Sequence, residues 1–212
     1  MEKRIAAAKA VLFVCCLLPL AHYGIALWQD TLGANPIEAL TRGLGDWALR
    51  LLLITLAVTP LRRATGWAWL LRLRRMLGLF AFFYACLHLV AYLWLDQFFD
   101  WVDIGRDILK RPFITVGMAT FLLLVPLAAT STNAMIRRLG GRRWQRLHRL
   151  IYPAALLAVL HFTWMVKVDI TEPALYGALV AILLGLRAWW RFDDARGTLA
   201  PRHRIIPIQI RR

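Results

Sequence analysis

Residues 76–95, MLGLFAFFYACLHLVAYLWL, decide the class of this protein. These twenty residues contain no Asp, Glu, Lys or Arg. At 1.5 Å per residue, a helix of this length spans about 30 Å, which is the thickness of the hydrocarbon core of a bilayer. The segment therefore predicts a membrane-spanning helix. Its histidine, His88, would lie in hydrocarbon, where an imidazole is costly unless it has a partner or binds a ligand.

Apolar segments of similar length lie on both sides of residues 76–95. The chain of 212 residues is 60% hydrophobic and its mean hydropathy is +0.56, which is too apolar for a soluble domain of this size. The net charge is +15, and the lysines and arginines lie in short clusters between the apolar segments. This pattern is typical of residues that orient a membrane protein, so we predict no nucleic-acid partner. We predict an all-α integral membrane protein, a six-helix transmembrane bundle surrounded by membrane lipid. The other five predicted spans are residues 6–28, 44–61, 112–130, 147–166 and 173–190.

Lysine and arginine cluster in every second connection between the predicted spans, and the remaining connections carry aspartate and glutamate. By the positive-inside rule, the basic connections face the cytoplasm, so both termini are predicted to be cytoplasmic. Residues 1–191 would form the transmembrane domain and residues 192–212 a short basic cytoplasmic tail. The basic clusters lie at residues 3–9, 62–75, 137–146 and 191–212, and the acidic connections at residues 30–38, 96–107 and 169–172.

Two histidines lie at the same predicted depth. The third and fifth spans both run outward from the cytoplasm, and His88 and His161 each stand eight residues before the first acidic residue of the next outer connection. Each therefore lies about 12 Å inside the outer boundary. Two imidazoles at one depth on neighbouring helices can coordinate a haem iron from opposite sides. The alternative is that each histidine hydrogen-bonds a neighbouring helix.

A third histidine lies at the cytoplasmic edge. His148 stands thirteen residues before His161, or about 20 Å along a helix, so a second haem could bind below the first. Thirteen residues before His88 the chain has Arg75, whose guanidinium stays protonated and cannot ligate iron. Arg75 would instead pair with a haem propionate or another anionic cofactor. The alternative is that His148 is an interfacial histidine among arginines.

Other polar or reactive residues fall inside the predicted spans. His22 lies near the outer end of the first span and is a secondary candidate ligand. Arg50 lies in the second span, where we expect it to extend to the interface rather than meet a propionate. The cysteines Cys15, Cys16 and Cys86 have no zinc-site spacing and are interpreted as small buried residues.

Six segments of the chain together carry a family resemblance. They are LGANPIEAL (32–40), LLLITLAVTPL (51–61), RRMLGLFAFFYACLHLVAYL (74–93), RPFITVGM (111–118), ATSTNAMIRRLGGRRWQRLHRLIYPAALLAVLHFTWMVK (129–167) and LLGLRAWWR (183–191). Its most specific parts surround the histidines in RRMLGL…LHL and WQRLHRLIY…LHF, and it covers about residues 12–191. These segments resemble the MsrQ (YedZ) family, which is distantly related to transmembrane ferric reductases and NADPH oxidases.

The resemblance implies a multi-pass b-type cytochrome of the bacterial inner membrane, with one or two haem b groups bound by His88, His148 and His161. Such a subunit takes electrons from the quinone pool or a cytosolic flavin reductase. It passes them to a periplasmic molybdopterin-containing methionine-sulfoxide reductase subunit, which repairs oxidised proteins. The resemblance also implies FMN, for which the sequence shows no binding residues.

Two alternatives remain open for the function. One is a quinol-linked b-type cytochrome with a different acceptor, such as ferric iron. The other is a cofactor-free transporter or assembly factor whose histidines relay protons.

Overall fold

The computed structural model describes residues 2–166 and 168–199, and the regular structure within these ranges is helical. The predicted tail, residues 192–212, lies only partly within the described residues. Its first part continues the last helix to Leu199, and positions 200–212 lie outside them. The helices are α1 Glu2–Trp28, α2 Pro36–Thr65, α3 Leu71–Val90, α4 Trp101–Lys110, α5 Pro112–Ala129, α6 Asn133–Leu139, α7 Gly141–Leu147, α8 Ile151–Met165 and α9 Thr171–Leu199.

Shorter helical turns join some of these elements. A 3₁₀ turn, Ala68–Leu70, leads into α3, and a π-helical turn, Ala91–Asp96, extends α3 at its other end. A second 3₁₀ turn, His148–Leu150, leads from α7 into α8. The predicted span 76–95 is thus one continuous helical segment, as the sequence indicated.

Five helical stretches are long and apolar enough to cross a membrane, which confirms a membrane protein with several apolar helices. α8 is the exception, because its fifteen residues cover only about 22 Å. The predicted span at residues 147–166 comprises α8 and the 3₁₀ turn before it, and it stays a prediction. The five stretches are Lys3–Trp28, Pro36–Thr65, Ala68–Asp96, Pro112–Ala129 and Thr171–Asp194.

α2 is much longer than the predicted span 44–61. Asn35 caps its start by accepting a hydrogen bond from the backbone N–H of Glu38, and Pro36 occupies the first helical position. Gly66 ends the helix with φ of 75°, a left-handed conformation that glycine adopts without strain. These signals define the helix better than hydropathy does, because Asp46 and Arg50 interrupt its apolar character.

The bundle is built on two closely packed helix pairs, α2 with α3 and α5 with α8. α9 packs against α8 and α2, and α1 lies against α2 and α3. Tyr84 of α3 is fully buried, and its hydroxyl donates to the Cys16 carbonyl at 2.7 Å and accepts from the Leu20 N–H at 3.1 Å. This hydroxyl replaces a backbone hydrogen bond of α1 beside Pro19 and ties α1 to the core.

The acidic connection at residues 96–107 folds largely into α4. Asp100 caps this helix by accepting from the N–H groups of Val102 and Asp103. Ile104 faces the protein, whereas Trp101 and Val102 are exposed. α4 is therefore an amphipathic helix between α3 and α5, on the side of the bundle that the charge pattern predicts to be periplasmic.

Candidate cofactor site

The rings of His88 and His161 are neighbours in the structure. His88 lies near the end of α3 and His161 in the second half of α8. Their ring centroids are 6.1 Å apart and their planes cross at 74°. The structure thus brings together the two histidines for which the sequence predicts one depth.

Each imidazole is held in one tautomer by a backbone carbonyl. Nδ1 of His88 lies 2.8 Å from the Thr41 carbonyl oxygen, and Nδ1 of His161 lies 2.6 Å from the Phe113 carbonyl oxygen. A carbonyl oxygen only accepts hydrogen bonds, so each Nδ1 carries the proton and donates it. Each Nε2 therefore keeps its lone pair, which is the form that ligates a metal.

A glycine on the facing helix makes room for each ring. An added Cβ at Gly45 of α2 would lie 3.0 Å from Nδ1 of His88, and one at Gly117 of α5 would lie 2.8 Å from Cε1 of His161. Ordinary contacts start at 3.4 Å. In both cases the carbonyl that accepts the imidazole proton belongs to the residue four positions before the glycine, so the two halves of the site are built alike.

A cavity of about 670 Å³ lies between α2, α3, α5 and α8 and contains both histidines in its wall. This volume is typical of sites for small molecules and cofactors. Its interior is lined by apolar side chains that include Leu52, Phe121 and Leu124. The polar lining residues are Asn35, Glu38, Thr41, Arg42, Asp46, Tyr92, Asp96, Thr120 and Arg111.

The residues present fit a haem with two axial histidines. Both imidazoles line one cavity with ring centres 6.1 Å apart, and the bond of each Nδ1 to a carbonyl oxygen leaves each Nε2 free for a metal. Oγ1 of Thr41, in the same cavity, is buried without a hydrogen-bond partner among the described residues, as expected where a ligand supplies one.

Comparison with known proteins assigns the family. Residues 44–159 match the family model of the ferric reductase like transmembrane component. The chain is 60% identical over 186 residues to the protein-methionine-sulfoxide reductase heme-binding subunit MsrQ of Azospira oryzae, across 87% of this chain and 80% of the relative. It is 56% identical over 198 residues to the MsrQ of Xanthomonas campestris pv. campestris, across 91% of this chain and 90% of the relative.

This chain belongs to the MsrQ family. The match confirms the family resemblance of the sequence. The segment that matches the ferric reductase like model contains His88 and His148 and ends just before His161.

In this MsrQ-family chain, His148 lies apart from the pair formed by His88 and His161. It opens the 3₁₀ turn before α8 and stacks on Trp144, with ring centroids 3.8 Å apart. Nδ1 of His148 donates to the Trp144 carbonyl oxygen at 3.1 Å. Nε2 is buried and makes no hydrogen bond of ordinary geometry among the described residues, but the backbone of Leu127 also interacts with the ring. His148 therefore differs from the other two histidines, each of which has a single carbonyl partner.

Arg75 lies at the surface in the structure. Its Nη2 donates to Oδ1 of Asn133 at 2.6 Å, a bond between α3 and α6. The arginine whose charge acts on His148 is instead its neighbour Arg74. The structure thus joins Arg75 to α6 and leaves its role toward a cofactor as a prediction.

Two other predicted residues lie outside the histidine pair. His22 is exposed on α1 and packs its ring edge against Tyr23. Arg50 is half-buried: its Nε donates to the Tyr176 hydroxyl at 2.9 Å and its guanidinium lies over Trp47, and its extension to the membrane interface stays a prediction. Since α2 begins at Pro36, Arg50 lies well inside the helix and finds its partners within the bundle.

Sequence reasoning missed Gly45, Gly117 and the carbonyl groups of Thr41 and Phe113. A glycine inside an apolar span is a weak signal, since small residues also occur wherever two membrane helices pack closely. Only the pairing of α2 with α3 and of α5 with α8 shows that each glycine faces a histidine.

Proposed function

We propose that this chain is a haem b-binding, electron-transfer subunit of a membrane methionine-sulfoxide reductase system. The observation that carries the proposal is the 6.1 Å separation of the His88 and His161 rings, each with Nδ1 bonded to a carbonyl oxygen. The names of the relatives support it, because they describe heme-binding subunits of a protein-methionine-sulfoxide reductase.

The two histidines would hold the haem iron, His88 from α3 and His161 from α8. A haem with two protein ligands supplies one-electron transfer and has no open position for oxygen or substrate. The carbonyl groups of Thr41 and Phe113 fix the ring orientations, and Gly45 and Gly117 admit the rings between the helices. Apolar side chains, among them Leu52, Phe121 and Leu124, line part of the cavity. These features favour a relay for electrons, with the final reduction carried out by a partner.

The same proposal includes a direction across the inner membrane. If the chain has six spans and both termini in the cytoplasm, as the charge pattern predicts, the cavity would lie toward the periplasmic side, since its wall includes Asp96 and Arg111 from the predicted outer connection. Electrons would come from the quinone pool or a cytosolic flavin reductase and leave to a periplasmic molybdopterin-containing methionine-sulfoxide reductase subunit. FMN belongs to the proposal through the family resemblance, with no residues assigned to it.

A second haem at His148 is also proposed. What supports it is the spacing of His148 from His161, the burial of its Nε2 and the bond of its Nδ1 to a carbonyl oxygen; iron binding at Nε2 would replace the interaction of the ring with the Leu127 backbone. Arg75 would then act on the cytoplasmic side by pairing with an anionic group of a cofactor.

The test is the haem content of the detergent-purified protein and of single variants. Wild type should show a b-type reduced-minus-oxidised spectrum, and His88→Ala and His161→Ala should each remove the signal of the outer haem while the chain still inserts. His22→Ala is the matched control, because His22 is an exposed histidine of α1. Full haem content in both variants would refute the proposed site, and a colourless wild type made with ample haem would favour a transporter or assembly factor.

The family match also favours a second function, reduction of ferric iron as the terminal step. It shares the haem site and differs only in the acceptor. Oxidation of the reduced protein by a methionine-sulfoxide reductase subunit, compared with oxidation by a ferric chelate, separates the two functions.

A further inference from the structure

Arg187 of α9 has a guanidinium inside the bundle. Its Nη2 donates to the Leu56 carbonyl oxygen of α2 at 2.5 Å, and the guanidinium carbon lies 5.6 Å from the ring centre of Tyr152 on α8. Nη1 is buried and has no hydrogen-bond partner among the described residues. A buried donor on a charged group is costly to leave unpaired, so this position calls for an acceptor.

The charges around Arg187 make that acceptor an anion. Two ionisable side chains act electrostatically on the Arg187 guanidinium, the Tyr152 phenol and Arg74. Arg74 is also positive. No carboxylate of the described residues is among the electrostatic partners of Arg187. Two guanidinium groups that repel each other in a low-dielectric region are stabilised when an anionic group lies between them.

Two residues, Tyr152 and Arg74, connect Arg187 with the surroundings of His148. Tyr152, which packs against the Arg187 guanidinium, is one helical turn after His148. Arg74 acts electrostatically on both Arg187 and His148. The His148 ring is bonded through Nδ1 to the Trp144 carbonyl oxygen and also interacts with the backbone of Leu127. The unpaired guanidinium donor of Arg187 and the His148 ring are thus both under the charge of Arg74 in the cytoplasmic half.

We propose that Arg187, together with Arg74, binds the anionic oxygen group of a ligand located beside His148 in the cytoplasmic half of the bundle. The group is a carboxylate or a phosphate, which a guanidinium recognises through paired hydrogen bonds. If the group is a carboxylate, the inference rests on the proposed second haem, whose propionates would supply it. If the group is a phosphate, the inference does not depend on haem.

The experiment compares purified wild type with Arg187→Gln and Arg187→Lys. Arg63→Gln is the matched control, because Arg63 is a more exposed arginine on the same predicted cytoplasmic side, paired with Asp194. Haem and phosphorus per chain are measured after exhaustive detergent exchange. We expect Arg187→Gln to lose either the second haem or one equivalent of bound phosphorus, and Arg187→Lys to retain part of it. Arg63→Gln should match wild type.

Reconstitution with haemin and with its dimethyl ester identifies the source of the anion. If the anion is a propionate, wild type should bind the second equivalent of haemin about tenfold more tightly than the ester, the effect of one charge-assisted hydrogen bond, and Arg187→Gln should not discriminate. If it is a phosphate, the two haemins bind alike and the phosphorus content falls in the variant.

The His88/His161 spectrum separates failure of this inference from failure of the proposed function. Wild-type contents of haem and phosphorus in Arg187→Gln would overturn the anion site and leave the outer haem proposal intact. Loss of both haems in the Gln and Lys variants alike would also overturn it, because Arg187 would then be needed only for folding. A wild type without the outer haem signal would instead overturn the proposed function.

Discussion

Gly117→Ala is the sharpest test of how the fold builds the histidine pair. The added methyl group would lie 2.8 Å from Cε1 and 2.9 Å from Nδ1 of His161. To reach 3.4 Å, where ordinary contacts begin, the ring has to move by about 0.6 Å. This movement strains the 2.6 Å bond between Nδ1 and the Phe113 carbonyl oxygen. A ligand displaced by more than about 0.5 Å no longer holds its productive geometry.

We therefore expect Gly117→Ala to weaken haem binding by about 10- to 100-fold, the usual effect of disturbing the groups that orient a metal ligand. The assay is titration of the haem-depleted, full-length protein with haemin, followed by the low-spin electron paramagnetic resonance signal. Gly45→Ala should have a smaller effect, because its methyl group would lie 3.0 Å from His88.

Gly78→Ala is the control for this experiment. It changes a glycine in the same helix as His88, but the added methyl group would meet Cγ2 of Thr55 at an ordinary 3.6 Å. Alanine also favours a helix over glycine by about 1 kcal/mol. Wild-type haem affinity and an unchanged low-spin signal in Gly117→Ala would refute the argument that this glycine seats His161.

Three other substitutions test the bundle and the cytoplasmic side. Tyr84→Phe should lower the free energy of unfolding by about 1–3 kcal/mol, because two backbone groups of α1 lose their partner; an unchanged thermal midpoint in detergent would contradict this. Tyr176→Phe removes the acceptor of the Arg50 side chain and should cost about 1.5–3 kcal/mol in the same assay, as for other bonds to charged groups. Arg75→Ala should leave the His88/His161 haem spectrum intact, since Arg75 bonds Asn133 at the surface, and loss of that spectrum would show a longer-range role.

Much of the helical organisation could be predicted because hydrocarbon demands long apolar helices. The span at residues 76–95 and the equal depth of His88 and His161 followed from counting residues along helices with a fixed rise. The limits of α2 could not be predicted from hydropathy, because Asp46 and Arg50 interrupt its apolar character. The hydrogen bond from Arg50 to Tyr176 forms only in the folded bundle. α4 was also missed, because an acidic connection was expected where Asp100 caps a short amphipathic helix.

The sequence by itself determined that the chain lies in a membrane, which family it resembles and which two histidines share a depth. Only the tertiary structure decided that Gly45 and Gly117 face those histidines and that Arg187 lies against Leu56 and Tyr152 with a donor unpaired among the described residues. The physical reason is that lipid and the bundle interior are both apolar. Hydropathy therefore fixes how deep a residue lies in the membrane, but it carries little information about the direction in which a helix face points. That direction is set by side-chain packing between helices that are distant in the sequence.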